Sequence, residues 1–185
     1  QGLNMFGARR KKISPFDPVR TTREAENTFT KFILGLTHRR PLFWLLQGMV
    51  KFKTQIASEK LSTQEEFSLG GIDSVRGYPS GDYLADTGYL AKAEIQAPPL
   101  FFLPDNWKLP YDSRPVKDIV TGVIFYDYGY GFRRGIPVTS AEKERCVLES
   151  VGAGVRVHLY DQMVARFEWG FVIGNEPITE VAESR

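Results

Sequence analysis

Hydrophobic and polar residues alternate with a period of two along most of this chain, the signature of β-strands whose two faces meet different surroundings. Residues 42–56 separate into Trp44, Leu46, Val50, Phe52 and Ile56 on one side and Gln47, Lys51, Lys53 and Gln55 on the other. Residues 88–97 set Tyr89, Ala91, Ala93, Ile95 and Ala97 against Lys92, Glu94 and Gln96. In 119–132, Val120, Ile124, Tyr126, Tyr128, Tyr130 and Phe132 oppose Thr121, Asp127, Gly129 and Gly131. Residues 147–159 place Val147, Val151, Ala153, Val155, Val157 and Leu159 against Ser150, Gly152, Gly154, Arg156 and His158. Residues 162–171 place Met163, Ala165, Phe167, Trp169 and Phe171 against Gln162, Arg166 and Glu168. The segment 28–37 is less regular: Phe32, Leu34 and Leu36 face one way, Lys31, Gly35 and Thr37 the other, and Phe29 and Ile33 break the polar side. It still reads as a strand, the first of six long ones, with 2–7 as the end of a seventh.

Strands of about 10 to 14 residues exceed the five or six usual in soluble proteins and match transmembrane β-strands of about 9 to 11 tilted residues. The connections alternate in length. Short turns are expected at 38–41 and 160–161, and long loops at 8–27, 57–87 and 133–146, as in barrels with short periplasmic turns and longer external loops. The charge run 9–12 then belongs to a solvated loop. The connection 98–115 breaks the rule: it is long, proline-rich and carries Phe101, Phe102 and Trp107, and reads as an insertion or as a patch touching lipid headgroups. The expected fold is all-β, an antiparallel transmembrane β-barrel. A soluble sandwich or lipocalin-like barrel is the alternative, with its apolar face turned inward. Six or seven strands do not close a transmembrane barrel, for which even counts from about eight upwards are usual. Residues 1–185 are therefore expected to form the C-terminal part of a larger barrel, with a further strand beyond.

Composition narrows the function more than the fold. Aromatics reach 13%, with 17 Gly and 11 Pro, a mixture that favours β-structure with many turns. No apolar stretch approaches the roughly 20 residues of a membrane-spanning helix. A mean hydropathy of −0.26 is compatible with a barrel, whose strands alternate lipid-facing and lumen-facing residues. Gln1 opens no signal-like segment, which fits a cytosolic protein, a mature product or a fragment. With 24 basic against 22 acidic residues there is no electrostatic footprint for nucleic acid, and none is expected as a partner. Cys146 has no partner for an intrachain disulfide and reads as a loop-end thiol. Two histidines and one cysteine are too few for an ordinary structural zinc site, so neither metal nor other cofactor is expected. His38 and His158 lack a serine and an acid at recognisable spacing, and no catalysis is expected of them. Gly152-Ala153-Gly154 resembles half a dinucleotide fingerprint but lies within an alternating strand, where small inward-facing residues are the simpler reading.

The loop 57–87 holds the distinctive chemistry: Phe67-Ser68-Leu69-Gly70-Gly71-Ile72-Asp73-Ser74-Val75-Arg76-Gly77-Tyr78, then Gly81-Asp82 and, on the next strand, Glu94. Phe125-Tyr126-Asp127-Tyr128-Gly129 follows on the strand after that. Gly70, Gly71 and Gly77 permit a tight re-entrant backbone. Parity puts Glu94 and Asp127 on the polar side of successive strands, and a guanidinium is a planar fork of donors that carboxylates satisfy. Arg76 at a loop tip can thus be clamped on that wall. The plainer alternatives are a solvated loop arginine and two carboxylates that only keep the face wet.

This ordered set resembles the sixth-loop signature of the outer-membrane translocator and insertase superfamily. The resemblance implies that Val75, Arg76, Gly77 and Tyr78 form the tip of a hairpin folded back into the barrel lumen. It also implies that Arg76 contacts acidic residues of the inner wall, whose motif stands here as Phe125, Asp127 and Gly129. The short spacing from Tyr78 through Gly81-Asp82 to Gly88-Tyr89 is most similar to the transporters of two-partner secretion, the hemolysin-activator type. That family implies a sixteen-stranded barrel preceded by POTRA domains in the bacterial outer membrane, exporting an unfolded partner polypeptide through its lumen without nucleotide or metal. The implied partners are the secreted or client polypeptide, outer-membrane lipid (lipopolysaccharide or phospholipid) and further subunits. An insertase that assembles other barrels, and a passive porin or soluble binding barrel, are the alternative functions.

Overall fold

The computed structural model describes residues 29–43, 45–98, 108, 115–135, 143–159 and 163–174. In chain order they form β1 (Lys31–Pro41), β2 (Gln47–Ala57), β3 (Phe67–Leu69), β4 (Tyr83–Ala85), β5 (Thr87–Ala97), a four-residue helical turn α1 (Val116–Ile119), β6 (Val120–Phe132), β7 (Arg145–Leu159) and β8 (Met163–Val172). The six long strands make one antiparallel sheet in the order β1-β2-β5-β6-β7-β8, and the short β3 and β4 pair with each other. Apart from α1 the described residues are thus all-β, a meander with an excursion between β2 and β5.

Register fixes which residues share a face. Leu36 lies opposite Phe52, Ile95 opposite Ile124, and Ala153 opposite Trp169, so the apolar positions of all six strands gather on one side. That side is bare: Leu36 is 62% exposed, Ile124 57% and Phe167 72%. A soluble sandwich hides its apolar face; here the apolar face is the open one and the polar face is the covered one. Tyr89 stacks on Tyr130 and Tyr128 with ring centroids 5.2 and 5.9 Å apart, within the range for offset aromatic pairs. The cover on the polar face is the excursion. Phe67, Leu69, Val75, Tyr78, Tyr83 and Ala85 pack onto Leu90, Cys146 and Leu148 of the sheet. The larger apolar side chains of this cluster each contribute roughly 1.5–3 kcal/mol on full burial.

Several boundaries differ from those read in the sequence. The turn falls at 42–46, closed by the Leu42 N–H on the Leu46 carbonyl at 2.8 Å, and 38–41 continues β1. His38, Arg39 and Arg40 pair with Val50, Met49 and Gly48, because the register that aligns the apolar positions of β1 and β2 carries pairing to Pro41. Of the apolar run 42–46, read as the start of a strand, Leu42, Phe43, Leu45 and Leu46 belong to the turn, and Trp44 lies outside the described residues. Residue 119 ends a helical turn rather than opening β6. Cys146 is not at a loop end: β7 starts at Arg145, and the thiol is buried in the core. Residues 2–7, 8–27 with its charge run, 160–161 and most of 98–115 lie outside the described residues; within the last, Lys108 and Pro115 form an isolated bridge.

Candidate functional site

The hairpin of β3 and β4 brings a tight tip down onto the sheet. Gly70 and Gly71 adopt φ of +96° and +98°, which only glycine takes without strain. The Gly71 N–H donates to the Tyr78 carbonyl at 3.1 Å and closes the loop that carries Val75, Arg76 and Gly77. At its outer end the excursion is fastened by Asp86, fully buried, whose carboxylate accepts the N–H of Leu61 at 2.8 Å and of Arg134 at 2.7 Å.

The strands beneath present a terraced wall, and the register explains its shape. One row across the polar face reads Lys92, Asp127, Ser150, Val172; the next reads Glu94, Phe125, Gly152, Gly170; the third reads Gln96, Val123, Gly154, Glu168. In the middle row Gly152 makes room for the Phe125 ring and Gly170 for the Arg76–Gly77 backbone. The Arg76 guanidinium stacks on Phe125, its central carbon 3.5 Å from the ring centroid, a close cation–π contact. Around that stack stand three carboxylates. Nε and Nη2 of Arg76 donate to the two oxygens of Asp127, each at 2.7 Å, while Nη1 lies 2.7 Å from Glu94 and 3.0 Å from Glu168. The Arg76 backbone N–H also donates to Asp127, at 3.1 Å. Arg76 is 4% exposed and Asp127 0%.

Two further cations balance the charge. Arg156 bridges Glu94 at 2.9 Å and Glu168 at 2.7 Å, and Lys92 lies 3.7 Å from Asp127. Three carboxylates thus face three cations, so that mutual attraction and hydrogen bonds offset the cost of taking these charges out of water. Burial by itself would ease the proton from Arg76, but the hydrogen bonds and charges of Asp127, Glu168 and Glu94 outweigh it and hold the guanidinium firmly ionised. Burial also raises the Tyr78 phenol, partly offset by its bond to Glu149. The Tyr78 hydroxyl donates to the Glu149 carbonyl and accepts its N–H, both at 3.3 Å.

The glycines make room for the tip. A Cβ on Gly129 would stand 2.7 Å from Val75 Cγ2, and one on Gly170 would stand 2.8 Å from the Gly77 nitrogen. Gly77 itself has φ of +89°. Phe125, Asp127 and Gly129 therefore do three separate things: the first stacks on the guanidinium, the second accepts its fork, and the third admits Val75.

Of the residues singled out in the sequence, Gly70, Gly71, Val75, Arg76, Gly77, Tyr78, Glu94, Phe125, Asp127 and Gly129 all lie in this one assembly. Sequence reasoning missed Glu168, Arg156, Lys92, Gly170 and Asp86. Parity already put Glu168, Arg156 and Lys92 on the polar face; only the strand register, counted through Gly152 to Gly170, shows that Glu168 reaches the same arginine as Glu94.

Long two-faced antiparallel strands, bare on the apolar side and pinned on the polar side by an inserted loop, are the construction of an outer-membrane β-protein. Consistent with it, the sequence matches the model of the Haemolysin secretion/activation protein ShlB/FhaC/HecB family over residues 1–157, and the chain belongs to that family. These proteins are outer-membrane transporters of Gram-negative bacteria that act in secretion and activation of partner proteins. The match ends before β8, which supplies Glu168 and Gly170. No curated protein matches the chain significantly.

Proposed function

We propose that this chain supplies the C-terminal part of an outer-membrane barrel that conducts an unfolded partner polypeptide through its lumen, with the Arg76 hairpin as a fixed lining of the conduit. The bare apolar face is then the lipid face and the covered polar face the lumen wall. The edges β1 and β8, unpaired among the described residues, are where further strands continue the barrel. The observation that carries this reading is the convergence of Asp127, Glu94 and Glu168 on Arg76. A loop that merely covered the wall needs apolar contacts alone; three carboxylates on one guanidinium specify a single position for the tip. A polypeptide in transit then meets a rigid surface and not a mobile plug. Neither nucleotide, metal nor catalysis enters this scheme. Outer-membrane lipid and further subunits are its other partners.

Depletion of the full-length protein tests the reading. Loss of one secreted polypeptide, with other outer-membrane proteins at normal levels, is the expected result. General loss of outer-membrane barrels would instead identify an insertase, and unchanged secretion would leave a passive pore.

A further inference from the structure

At the end of the sheet that carries the long connections, consecutive arginines part to opposite sides. Arg133 turns to the covered face, its guanidinium carbon 5.3 Å from the Tyr83 ring centroid and its Nε bonded to the Leu84 carbonyl. Arg134 turns the other way and lies 5.8 Å from the ring centroid of Phe132. Arg145, directly opposite Phe132 across the β6–β7 pair, lies 5.6 Å from that same ring. Phe132 has the parity of Tyr126, Tyr128 and Tyr130, so it ends the aromatic column on the bare face, and Tyr89 continues that column sideways. Both Arg134 and Arg145 are exposed. Arg145 has no ion pair among the described residues; the Arg134 backbone N–H donates to Asp86 and its Nη2 to the Ala57 carbonyl.

Two guanidinium groups on one outward aromatic, at the margin of an apolar band, are an arrangement with a specific complement. Longer connections face the outside in barrels of this class, so Phe132 marks the external margin. The external leaflet of a Gram-negative outer membrane presents acyl chains below and phosphorylated sugars above. A guanidinium binds phosphate oxygens through paired donors, and the ring beneath holds it in place. We propose that Arg145 and Arg134, seated on Phe132, bind a phosphate of the sugar headgroup of one lipopolysaccharide molecule, whose acyl chains run along Tyr130, Tyr128 and Tyr89. A free phosphate ion would use the arginines but gain nothing from the aromatic column. This site rests on the bare face being the lipid face.

The test uses the full-length protein in detergent and measures lipid binding by native mass spectrometry. The lipids are lipid A, dephosphorylated lipid A and phosphatidylglycerol. Arg145 is the residue to change, because the Arg134 guanidinium also donates to the Ala57 carbonyl. Lipid A should bind the unaltered protein, Arg145→Glu should weaken that binding by about tenfold or more, and Arg145→Lys should fall between. Dephosphorylated lipid A should bind poorly to all three. Arg40→Glu, at the opposite end of the sheet, should leave lipid A binding unchanged. Equal lipid A binding by Arg145→Glu, equal binding of phosphatidylglycerol, or no lipid A binding by the unaltered protein would each overturn the site. Failure of the underlying reading has a separate signature: the unaltered protein would be missing from the outer-membrane fraction.

Discussion

Arg76 meets Asp127 through both Nε and Nη2, each at 2.7 Å, although 51 positions separate the two residues along the chain. The pair is asymmetric. Asp127 faces Arg76 and, at a longer distance, Lys92, whereas Arg76 has Glu94 and Glu168 as well. Breaking one side of a buried pair costs about 3–5 kcal/mol. Arg76→Ala should lie near that range, because it leaves three carboxylates to share Arg156 and Lys92. Asp127→Ala should cost less, since two carboxylates still hold the guanidinium. Thermal or urea melting of the folded protein in detergent gives both values. Each variant should assemble in the membrane and lose most secretion, and the double variant should be little worse than Arg76→Ala. Fully additive losses would show that the two residues act separately.

Arg76→Lys should recover little. An ammonium is a point charge that does not match two oxygens of Asp127 while also reaching Glu94 and Glu168, and it loses the flat stack on Phe125. Secretion close to that of the unaltered protein would mean that charge alone positions the tip. Exchanging Arg76→Asp with Asp127→Arg should restore at most part of the activity for the same geometric reason.

Space should matter as much as charge. Gly129→Ala drives a methyl to 2.7 Å from Val75 and 3.0 Å from Leu69, so Val75→Ala on the same chain should relieve it only in part. Gly170→Ala meets the backbone of Arg76 and Gly77, for which no side-chain truncation compensates. Overpacking of this kind costs about 1–3 kcal/mol. The check is protease sensitivity of the loop in assembled protein: raised by Gly129→Ala, lowered part of the way back by the second change, and raised irreparably by Gly170→Ala.

The assignment of faces has its own measurement. Val155 stands on the bare face, and Val155→Arg should destabilise the protein in lipid by about 2–4 kcal/mol near the bilayer middle. Ile33 is exposed too, at 51% against 42% for Val155, but shares the polar face with Lys31 and Gln55, and Ile33→Arg should cost far less. Equal costs in lipid would reverse the assignment. Arg156, adjacent to Val155 and on the other face, is unsuitable as the control, because it is tied to Glu94 and Glu168.

What the sequence determined by itself was the two-faced strand pattern and the chemistry of the loop. Period two is local: each side chain's face follows from its own parity, so Glu94, Asp127, Arg156 and Glu168 are assigned to the polar side with no knowledge of neighbours. The Gly70-Gly71 and Gly77 positions likewise announce a tight tip through backbone sterics alone. Tertiary structure decided everything that depends on register. Whether 38–41 turns or continues β1 depends on how far β2 pairs with it, and the cationic and proline residues there are tolerated because both faces of β1 are open. That Glu168, 92 residues from Arg76, completes the cage, and that Gly170 is the floor beneath Gly77, follows only from three successive strand pairings. Parity tells a side chain which way to face; only the shared hydrogen-bond ladder tells it what it will meet there.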